Sequence, residues 1–598
     1  MAELLEERKP KDEAEELHRI RHSCAHVMAQ AVVELFPDAQ LAIGPAIEDG
    51  FYYDFKLPRG LTPEDLEAIE ERMRRIAKSN APFERWTSSR EEAIAYFEER
   101  NQPFKVEILR DLPEEGMEDN QVSFFRQDQF TDLCRGPHVM RTGQIRAFKL
   151  LSVAGAYWRG DEHRPMLQRI YGTAWKTKAD LEAYVQRMEE ARARDHRKLG
   201  RELELFANVP EVGPGLPLWL PKGATIRRVL QDYIVEQEIQ AGYQHVFTPV
   251  LGKLDLYRQS GHLEHYKDSM FPPITIENEQ FQLRPMNCPH HFAVYRTKMH
   301  SYRDLPIRIA ELGTQFRYEK SGELAGLSRV RMMTLNDAHI FCTAEQIKDE
   351  VVTVVRMIET SYRDLGLKDY WYRLSLREPS DTEKYVQNDA IWDHSEEVLR
   401  QTMDELGLNY REARGEAAFY GPKLDVQVAN VAGKDETVST VQLDFVMPER
   451  FNLEYVGQDG KPHRPVVIHR GVISTMERIV AFLIENFAGA FPVWLAPVQA
   501  VALPIADRHA SYAEEVAQAM KARKLRVDLD ARNEKLNYRI REAQLQKVPY
   551  MLVVGDKEME SRSVTVRLRS GENLPAMSLE AAVDFIAQKN ASRSLELS

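Results

Sequence analysis

LPIRIAELGTQFRYE, residues 305–319, reads as a β-strand that ends in the charged tetrapeptide FRYE. A second strand candidate, RVRMMTLNDAHIFC at residues 329–342, follows after a short loop that contains glycine. Two strands joined in this way form a hairpin. The pair therefore predicts an antiparallel sheet in the middle region of the chain, which we place at residues 207–497.

The chain must divide into several domains, because 598 residues are too many for one hydrophobic core. Residues 181–206, LEAYVQRMEEARARDHRKLGRELELF, are charged with sparse apolar positions, which predicts one helix that bridges two domains. From residue 498 onward, strand-like and helix-like segments alternate. That alternation predicts a small α/β domain with a mostly parallel sheet over residues 498–598.

Composition indicates a cytoplasmic protein without a membrane span. The amino terminus lacks the apolar core of a signal peptide, and only four cysteines in so long a chain fit a reducing compartment. Residues 487–506 are apolar, but their prolines would break a helix, so we predict a buried linker followed by a strand. The net charge of −13 counts against non-specific coating of nucleic acid and permits a local site.

Arginines and a carboxylate flank the loop of the predicted hairpin. Arg317 and Glu319 lie in FRYE, and Arg329 and Arg331 lie across the loop. Guanidinium groups fork onto phosphate oxygens, so this set could clamp a polyphosphate and read an adenine amine. A ladder of surface ion pairs is the alternative, which these residues alone favour. No GxxxxGK[ST] pattern occurs, so a P-loop is excluded.

HSCAH at residues 22–26 places two histidines on one helix face, a turn apart. With Cys134 and His138 in CRGPH, His22 and His26 make a set of four potential metal ligands. Such a set predicts a tetrahedral structural zinc, and histidines satisfied by local hydrogen bonds are an alternative of equal weight.

A second potential metal site combines Cys288, His339 and His469, each at or beside a strand-like segment. One thiolate and two imidazoles match a zinc site that keeps a coordination position open, as catalytic zinc does. Since the chain has 17 histidines, a trio of this kind could also be drawn by chance.

Several separated motifs, in the right order, resemble a known family. GYQHVFTP, FRYE with RVRMMTLNDAHIFC, and HRGVISTMERIVAFLIE resemble motifs 1, 2 and 3 of the class II aminoacyl-tRNA synthetases. RPMNCP, NDAHIF, AFYGPK and VQLDF are similar to the threonyl enzymes in particular, and RHSCAH, IGPAIEDGFYYDF, DLCRGPHV and AGAYWRGD resemble their editing domain. The last hundred residues resemble their anticodon-binding domain, so the resemblance covers nearly the entire chain.

The resemblance implies an α+β multidomain protein. It implies an α+β editing domain at residues 1–180, a linker helix at 181–206, a class II catalytic core at 207–497 and an α/β anticodon-binding domain at 498–598. The core is expected to be an antiparallel sheet with helices. Because motif 1 builds a two-fold interface in this class, we expect a homodimer.

The resemblance also implies an activity, its partners and the residues that serve it. The expected reaction joins L-threonine to tRNA(Thr) with ATP and Mg²⁺, and mischarged Ser-tRNA(Thr) is hydrolysed at the editing site. The residues implied for ATP are Arg317, Glu319, Arg329 and Arg478; those for zinc are Cys288, His339 and His469; and those for threonine are Asp337, Tyr420, Lys423 and Gln442. The residues implied for editing are His22, His26, Tyr53, Lys105, Asp132, Cys134 and His138, and those for the anticodon are Asn533, Lys557, Glu558 and Arg567.

The expected substrate explains why one site is insufficient. An open zinc can take the amino nitrogen and the hydroxyl of threonine together, so valine, the nearly isosteric competitor, leaves the metal under-coordinated. Serine has both groups and lacks only a methyl, which is worth roughly 1 to 3 kcal/mol, or about 10- to 200-fold discrimination. A second site that hydrolyses seryl-tRNA is therefore required. For that site, the resemblance favours hydrolysis by positioned water over a bound metal.

The sequence departs from its relatives at a few places. It begins almost at the editing domain, so we expect the small ubiquitin-like domain of many bacterial relatives to be missing and editing to survive. Leu335 and Thr437 stand where many relatives have glutamine, and CPHH replaces the commoner CPGH. These changes concern fine contacts to threonine or ATP. The rival interpretations are a tRNA-binding paralogue that no longer aminoacylates and a dedicated editing protein.

Overall fold

The computed structural model describes residues 3–4, 12–113 and 121–598. The chain forms two compact units, Met1–Met188 and Glu189–Ser598. The α-helices and strands of the first unit are β1 (Glu3–Leu4), α1 (Glu13–Leu35), β2 (Gln40–Leu41), β3 (Ala46–Ile47), β4 (Gly50–Lys56), α2 (Pro63–Ser79), β5 (Phe83–Ser89), α3 (Arg90–Glu99), α4 (Pro103–Asp111), β6 (Gln121–Gln127), β7 (Phe130–Leu133), β8 (Ala147–Tyr157) and β9 (Met166–Trp175), and α5 (Lys178–Arg194) contains the division.

Two antiparallel sheets and a long central helix build the first unit. One sheet has the strand order β1-β5-β6-β7, and the other has the order β2-β4-β9-β8 with β3 paired to β4. Helix α1 begins where the Asp12 side chain accepts a hydrogen bond from the backbone N–H of Glu15, which satisfies one otherwise unpaired donor. Its apolar face, Val27 and Met28 included, is fully buried against α2 and the second sheet. The unit is α+β, as predicted.

The second unit contains the remaining elements. They are α6 (His196–Glu202), β10 (Phe206–Ala207), β11 (Leu218–Trp219), α7 (Pro221–Gln240), β12 (Gln244–His245), β13 (Leu251–Lys253), α8 (Leu254–Gln259), α9 (His262–His265), β14 (Ile274–Ile276), β15 (Glu279–Leu283), α10 (Cys288–Tyr295), β16 (Ile307–Phe316), β17 (Met332–Cys342), α11 (Ile347–Leu365), β18 (Tyr370–Leu376), α12 (Asp389–Glu405), β19 (Tyr410–Arg414), β20 (Lys423–Ala429), β21 (Asp435–Asp444), α13 (Met447–Arg450), β22 (Tyr455–Val456), β23 (Pro462–His463), β24 (Val466–Gly471), α14 (Met476–Asn486), β25 (Ala500–Pro504), α15 (Ala510–Ala522), β26 (Val527–Leu529), α16 (Leu536–Leu545), β27 (Tyr550–Val554), α17 (Asp556–Ser561), β28 (Ser563–Leu568), β29 (Met577–Ser578) and α18 (Leu579–Ala591).

An eight-stranded sheet organises the middle of this unit, with the order β12-β16-β17-β24-β21-β20-β18-β19. The predicted hairpin is confirmed: β16 and β17 pair antiparallel from Phe316 opposite Met332 to Ile307 opposite Phe341. Because successive side chains point to opposite faces, Ala338 and Ile340 of β17 join the hydrophobic core with α7, α11 and α14. The alternate residues of β17 point away from that core.

The predicted linker helix over residues 181–206 is wrong as one continuous element. Two helices, α5 and α6, occupy this stretch, and the chain changes direction at Asp195. The Asp195 side chain accepts a hydrogen bond from the backbone N–H of Arg197 at 2.7 Å and begins a new helix there. Leu199, Leu203 and Phe206 then join the core of the second unit, so the last third of the stretch is part of a packed domain.

The carboxyl-terminal region has the predicted alternation of strands and helices. Its sheet has the order β26-β25-β27-β28-β29, in which the first three strands are parallel and the last two antiparallel. Helix α17 between β27 and β28 was not predicted. Before this sheet, the apolar linker is buried at Phe491, Val493 and Leu495, and strand β25 follows, as predicted. No helix among the described residues is long and apolar enough to span a membrane.

Candidate functional sites

Two strands and one helix terminus bring the predicted zinc ligands together. His339 of β17 stands directly opposite His469 of β24 in the sheet, and Cys288 is the first residue of α10. All three side chains are buried, and their ligand atoms lie within 4.8 Å of one another. His339 Nε2 and His469 Nδ1 are 2.9 Å apart. Ring nitrogens that share one tetrahedral zinc lie about 3.3 Å apart, so the arrangement fits such an ion.

A second layer of polar groups orients the trio. His469 Nε2 is 2.7 Å from Asp444 Oδ2, and His339 Nδ1 is 2.8 Å from Nδ1 of His291. His291 is held in turn by Glu311, 3.1 Å from its Nε2. Hydrogen bonds of this kind fix the tautomer and direction of a metal-binding imidazole. The sequence analysis missed Asp444, His291 and Glu311, although Asp444 belongs to the quoted motif VQLDF.

The predicted threonine residues line one cavity with two of the three predicted zinc ligands, Cys288 and His469. The cavity measures about 710 Å³, and its walls include Cys288, His469, Arg317, Asp337, Tyr420, Lys423 and Gln442. The Tyr420 hydroxyl donates a hydrogen bond to Gln442 Oε1, and the Tyr420 ring stacks on His469. Lys423 Nζ lies 3.0 Å from Asp425 Oδ2. Side chains that lie on seven different elements or loops therefore face one space.

Of the motif 2 and motif 3 arginines, Arg317 lines this cavity, and Arg329 and Arg478 are not among its described wall residues. Arg329 Nε is 2.7 Å from Glu319 Oε2, so these two side chains form an ion pair. Arg478, in the first turn of α14, donates from Nε to the carbonyl of Ser328 at 3.4 Å. Burial lowers the pKa of Arg478, and the charges of Arg317 and Arg329 nearby lower it further. Three guanidinium groups that repel one another in this way form a site prepared for an anion.

Arg331 has a different role from its neighbours. Its Nε donates to the backbone carbonyl of Glu319 at 3.0 Å, and the backbone carbonyl of Arg331 accepts from the N–H of Arg317. Arg331 therefore braces the loop that presents the other arginines.

Five of the predicted editing residues of the first unit line a separate cavity of about 610 Å³: His22, His26, Lys105, Asp132 and Cys134. The other two, Tyr53 and His138, contact Asp132 and Cys134 from behind this wall. His22 and His26 project from α1, and Cys134 and His138 lie in the loop after β7. Ligand atoms of these four residues lie within 4.8 Å of one another. Cys134 Sγ is 3.3 Å from His22 Nε2 and 3.2 Å from His138 Nε2. Ser23, which the sequence analysis missed, lies 3.0 Å from His138 Nδ1 through its Oγ.

A buried ion pair with a tyrosine supports this cavity. Lys105 Nζ of α4 is 2.6 Å from Asp132 Oδ1, and both side chains are almost fully buried. The Tyr53 hydroxyl of β4 donates to Asp132 Oδ2 at 2.5 Å. Burial and the neighbouring Asp132 carboxylate raise the pKa of Tyr53 well above its usual value, so it stays a donor. Gly44 makes room, because a Cβ there would lie 1.9 Å from the Tyr53 ring.

Desolvation keeps the editing cluster uncharged. Burial lowers the pKa of His22 to about 4 and that of His26 to about 3. Burial also lowers the pKa of His138 well below its usual value and raises that of Cys134 to about 12. At neutral pH the cluster therefore holds three neutral imidazoles and a thiol. His26 Nδ1 is buried and has no hydrogen-bond partner among the described residues, so it is free for a bound water or substrate.

Comparison with known proteins shows which domain families this chain resembles. Three domain profiles match: the tRNA synthetase class II core domain (G, H, P, S and T) at residues 271–487, the anticodon binding domain at 499–589, and the threonyl and alanyl tRNA synthetase second additional domain at 122–171. The threonine–tRNA ligase of Geobacillus sp. (strain WCH70) is 58% identical over 581 residues, which are 97% of this chain and 89% of that protein. The chain belongs to the threonine–tRNA ligase family.

Further members of the threonine–tRNA ligase family agree. Threonine–tRNA ligase 1 of Bacillus subtilis (strain 168) is 57% identical over 570 residues, which are 95% of this chain and 88% of that protein. The crystal structure of the RNA binding domain of threonyl-tRNA synthetase from Cryptosporidium parvum Iowa II is 35% identical, with a TM-score of 0.63, and covers 67% of this chain and 99% of that one. The family resemblance and the fold class predicted from sequence are confirmed.

The four residues that the threonine–tRNA ligase resemblance assigns to the anticodon lie on one strand, one loop and one short helix of the carboxyl-terminal region. Asn533 follows β26 and Lys557 lies in α17, and both are exposed. Arg567 of β28 is half-buried, and its Nη1 donates to Asn573 Oδ1 at 3.1 Å. Glu558 accepts from the backbone N–H of Gly555 and from the Thr565 hydroxyl, so its carboxylate already caps α17.

The departures from the usual threonine–tRNA ligase pattern fall in different places. Leu335 lines the cavity that contains Cys288, His469 and Arg317 in its wall, which we call the synthetic cavity. The hydroxyl of Thr437 accepts from Gln427 Nε2 at 2.7 Å, and Thr437 is not among the described residues of the cavity wall. His290, the unusual residue of CPHH, lies beside Gly252, whereas His291 reaches the zinc trio. Of the three departures, Leu335 alone changes the cavity.

Proposed function

We propose that the synthetic cavity activates L-threonine with ATP and transfers it to the 3′ end of tRNA(Thr), and that the cavity of the first unit hydrolyses mischarged Ser-tRNA(Thr). The proposed synthesis rests on the buried trio of Cys288, His339 and His469. Cys288 and His469 line the same cavity as Arg317. An amino acid held at the trio would thus direct its carboxylate toward a phosphate held by arginine.

Cys288, His339 and His469 would hold one Zn²⁺ per subunit. When bound there, the ion would supply a Lewis acid that attracts the amine and the hydroxyl of threonine. Asp337, Tyr420 and Gln442 would fix the orientation of the amino acid by hydrogen bonds, and Lys423 adds a positive charge to the same wall. Valine lacks the hydroxyl, so it would be rejected here, whereas serine would pass.

Arg317, Glu319, Arg329 and Arg478 would bind ATP, which enters with Mg²⁺. Arg317 would hold the α-phosphate, Arg329 the γ-phosphate and Arg478 the phosphates from the opposite side. The ion pair of Arg329 with Glu319 would open, which releases the Glu319 carboxylate for the adenine amine. Fixed positive groups of this kind stabilise the charge that develops on the phosphate during transfer.

Editing would be hydrolysis by a positioned water. Water would attack the ester carbonyl of seryl-tRNA, the bond to the ribose oxygen would break, and a proton would pass to that oxygen. His22, His26 and Cys134 would hold the water, because each lines the cavity with an uncharged polar group, and His138 would hold Cys134 in position through its Nε2. The Lys105 ammonium would stabilise negative charge at the carbonyl, and Asp132, which Tyr53 holds by a hydrogen bond, would fix the position of Lys105.

Editing should show no histidine titration in the neutral range. Since burial lowers the pKa of His22 to about 4 and of His26 to about 3, both stay neutral above these values. We expect the enzyme-dependent rate of Ser-tRNA(Thr) deacylation, corrected for spontaneous ester hydrolysis, to be constant from about pH 8 to about pH 5.5 and to fall only below. A decline centred near pH 6.5, the ordinary histidine value, would contradict the assignment.

The carboxyl-terminal domain would recognise the anticodon through Asn533, Lys557 and Arg567, with Glu558 holding α17 in place. Splayed bases of single-stranded RNA are read by hydrogen bonds to their edges, which exposed amide, ammonium and guanidinium groups can make. We also propose an editing domain at residues 1–180, a class II core that ends at residue 497 and an anticodon-binding domain at residues 498–598, which the three domain matches support. A cytoplasmic location is supported by four cysteines that are all free thiols.

We propose a homodimer formed through motif 1. Phe247, between β12 and β13, has 94% of its surface exposed, and Val250 in the same segment is also exposed. An exposed phenylalanine beside further apolar surface is a typical anchor of a protein interface.

The mutation Phe247→Asp should therefore raise the dimer dissociation constant at least about 100-fold. Sedimentation equilibrium measures this change. Met166→Asp is the matched control, since Met166 is 62% exposed and belongs to the first unit. If the Phe247→Asp protein dissociates with the same constant as the wild-type dimer, the proposed interface is wrong.

Threonine-dependent ATP–pyrophosphate exchange tests the proposed synthesis, and deacylation of Ser-tRNA(Thr) tests the proposed editing. A tRNA-binding paralogue would bind tRNA(Thr) without exchange. A dedicated editing protein would deacylate without exchange, although the class II core at residues 271–487 argues against it.

A further inference from the structure

Gln315 is a buried polar residue in the wall of the synthetic cavity that the proposed mechanism does not use. Its side chain is fully buried, and neither Oε1 nor Nε2 has a hydrogen-bond partner among the described residues. A buried carboxamide without partners destabilises a protein. Native proteins rarely keep such a group unless a bound molecule satisfies it. Because Gln315 lines the cavity, a ligand of that cavity can supply the partner.

The sheet register shows which part of a ligand would reach Gln315. On β17, His339, Asp337 and Leu335 share one face of the sheet in steps of about 6.8 Å, and Asp337 and Leu335 line the cavity. Leu335 faces Gly313 of β16, so Gln315 lies one step beyond Leu335 as seen from the zinc trio. Arg317 follows Gln315 by two residues. The carboxamide therefore stands between the zinc trio and the arginine.

The chemical group expected at this position is a carboxylate. In the proposed function, on which this inference rests, the amine and hydroxyl of the amino acid are held at the zinc trio and the α-phosphate at Arg317. The carboxylate must lie between them, since one of its oxygens forms a bond to the α-phosphorus while the bond from phosphorus to the pyrophosphate oxygen breaks. Leu335 offers no polar atom there, whereas a carboxamide N–H is a good donor to a carboxylate oxygen.

We propose that Gln315 Nε2 donates a hydrogen bond to the carboxylate of the bound amino acid and holds it in line with the α-phosphate. Gln315 is then a specificity residue that requires the free carboxylate. It separates amino acids from amino alcohols and amines that the zinc trio would accept equally well.

The test compares threonine with threoninol, in which an alcohol replaces the carboxylate. In the zinc-loaded full-length enzyme, Gln315→Met keeps the length of the side chain and removes its donor. We expect the Kd of threonine, measured by calorimetry, to rise about 10- to 100-fold and that of threoninol to change less than about twofold. The kcat/KM for threonine should fall by the same factor as its affinity, with the KM for ATP unchanged.

Gln127→Met is the matched control. Both amide atoms of Gln127 are also buried without a partner among the described residues, and Gln127 belongs to the first unit. Gln127→Met should leave both Kd values unchanged. Gln315→Glu provides a second test, because a negative charge should weaken threonine binding further than methionine does and should not weaken threoninol binding.

Three results would overturn the inference: equal weakening of both ligands, unchanged binding of threonine, or weaker binding of threoninol alone. Equal weakening would mean that the carboxamide supports only the shape of the wall. The failure of the proposed function is distinguishable, since it would appear as a wild-type enzyme without threonine-dependent exchange.

Discussion

Replacing Cys288 with serine should remove the zinc from the synthetic cavity and lower threonine-dependent ATP–pyrophosphate exchange about 10³-fold. Serine has no thiolate, and the two imidazoles of His339 and His469 alone make a weak site for zinc. Without the ion, threonine loses its partner for the amine and the hydroxyl. Mass spectrometry of the purified protein measures the zinc content, which should fall from one atom per chain to near zero.

Cys134→Ser is the matched control for this experiment, because Cys134 also lies beside two histidines. The control protein should keep one zinc per chain and full exchange, while its deacylation of Ser-tRNA(Thr) falls. Full zinc and full exchange in Cys288→Ser would refute the zinc trio. A wild-type protein with two zinc atoms, one of which Cys134→Ser removes, would show instead that the editing cluster binds metal.

Replacing Arg317 with glutamine should lower threonine-dependent ATP–pyrophosphate exchange about 10²- to 10³-fold, because one fixed donor to the transition-state charge is lost. Arg317 lines the cavity, and its Nε is buried without a partner among the described residues, as expected of a group that awaits a phosphate. The zinc content should remain at one atom per chain.

Arg411→Gln is the control, since Arg411 is exposed on the edge strand β19 and stacks on Trp371. It should leave exchange unchanged. Deacylation of Ser-tRNA(Thr) by Arg317→Gln should also stay near the wild-type rate, because the editing residues belong to the first unit. Equal losses of exchange and deacylation would indicate a general folding defect and would contradict a role in phosphate binding.

Local patterns were sufficient for most of the fold. The pairing of β16 and β17 was predictable, because both segments read as strands and follow each other in the chain, although residues 317–331 connect them in a longer loop than expected. The prediction of one helix over residues 181–206 was wrong, because the charge pattern continues through Asp195 while the Asp195 side chain begins a second helix. Helix α17 was missed, because six residues between two strands give too little periodicity for detection.

The candidate site residues were identified through motifs, and their neighbours were not. Asp444 and His291 contact His469 and His339, yet each is an ordinary polar residue until strand β21 puts Asp444 beside His469 and the packing of helix α10 puts His291 beside His339. The same holds for Gln315, whose unpaired carboxamide is visible only when the surrounding strands are packed.

The amino-acid sequence alone determined the family, the order of the domains and the residue types available for zinc, phosphate and ester chemistry. These properties depend on local patterns and on motifs. The tertiary structure alone decided which of these groups meet. His339 and His469 are 130 residues apart, and only the pairing of β17 with β24 brings their rings together. It also decided which groups are charged, because burial, which no local pattern encodes, keeps the editing histidines neutral.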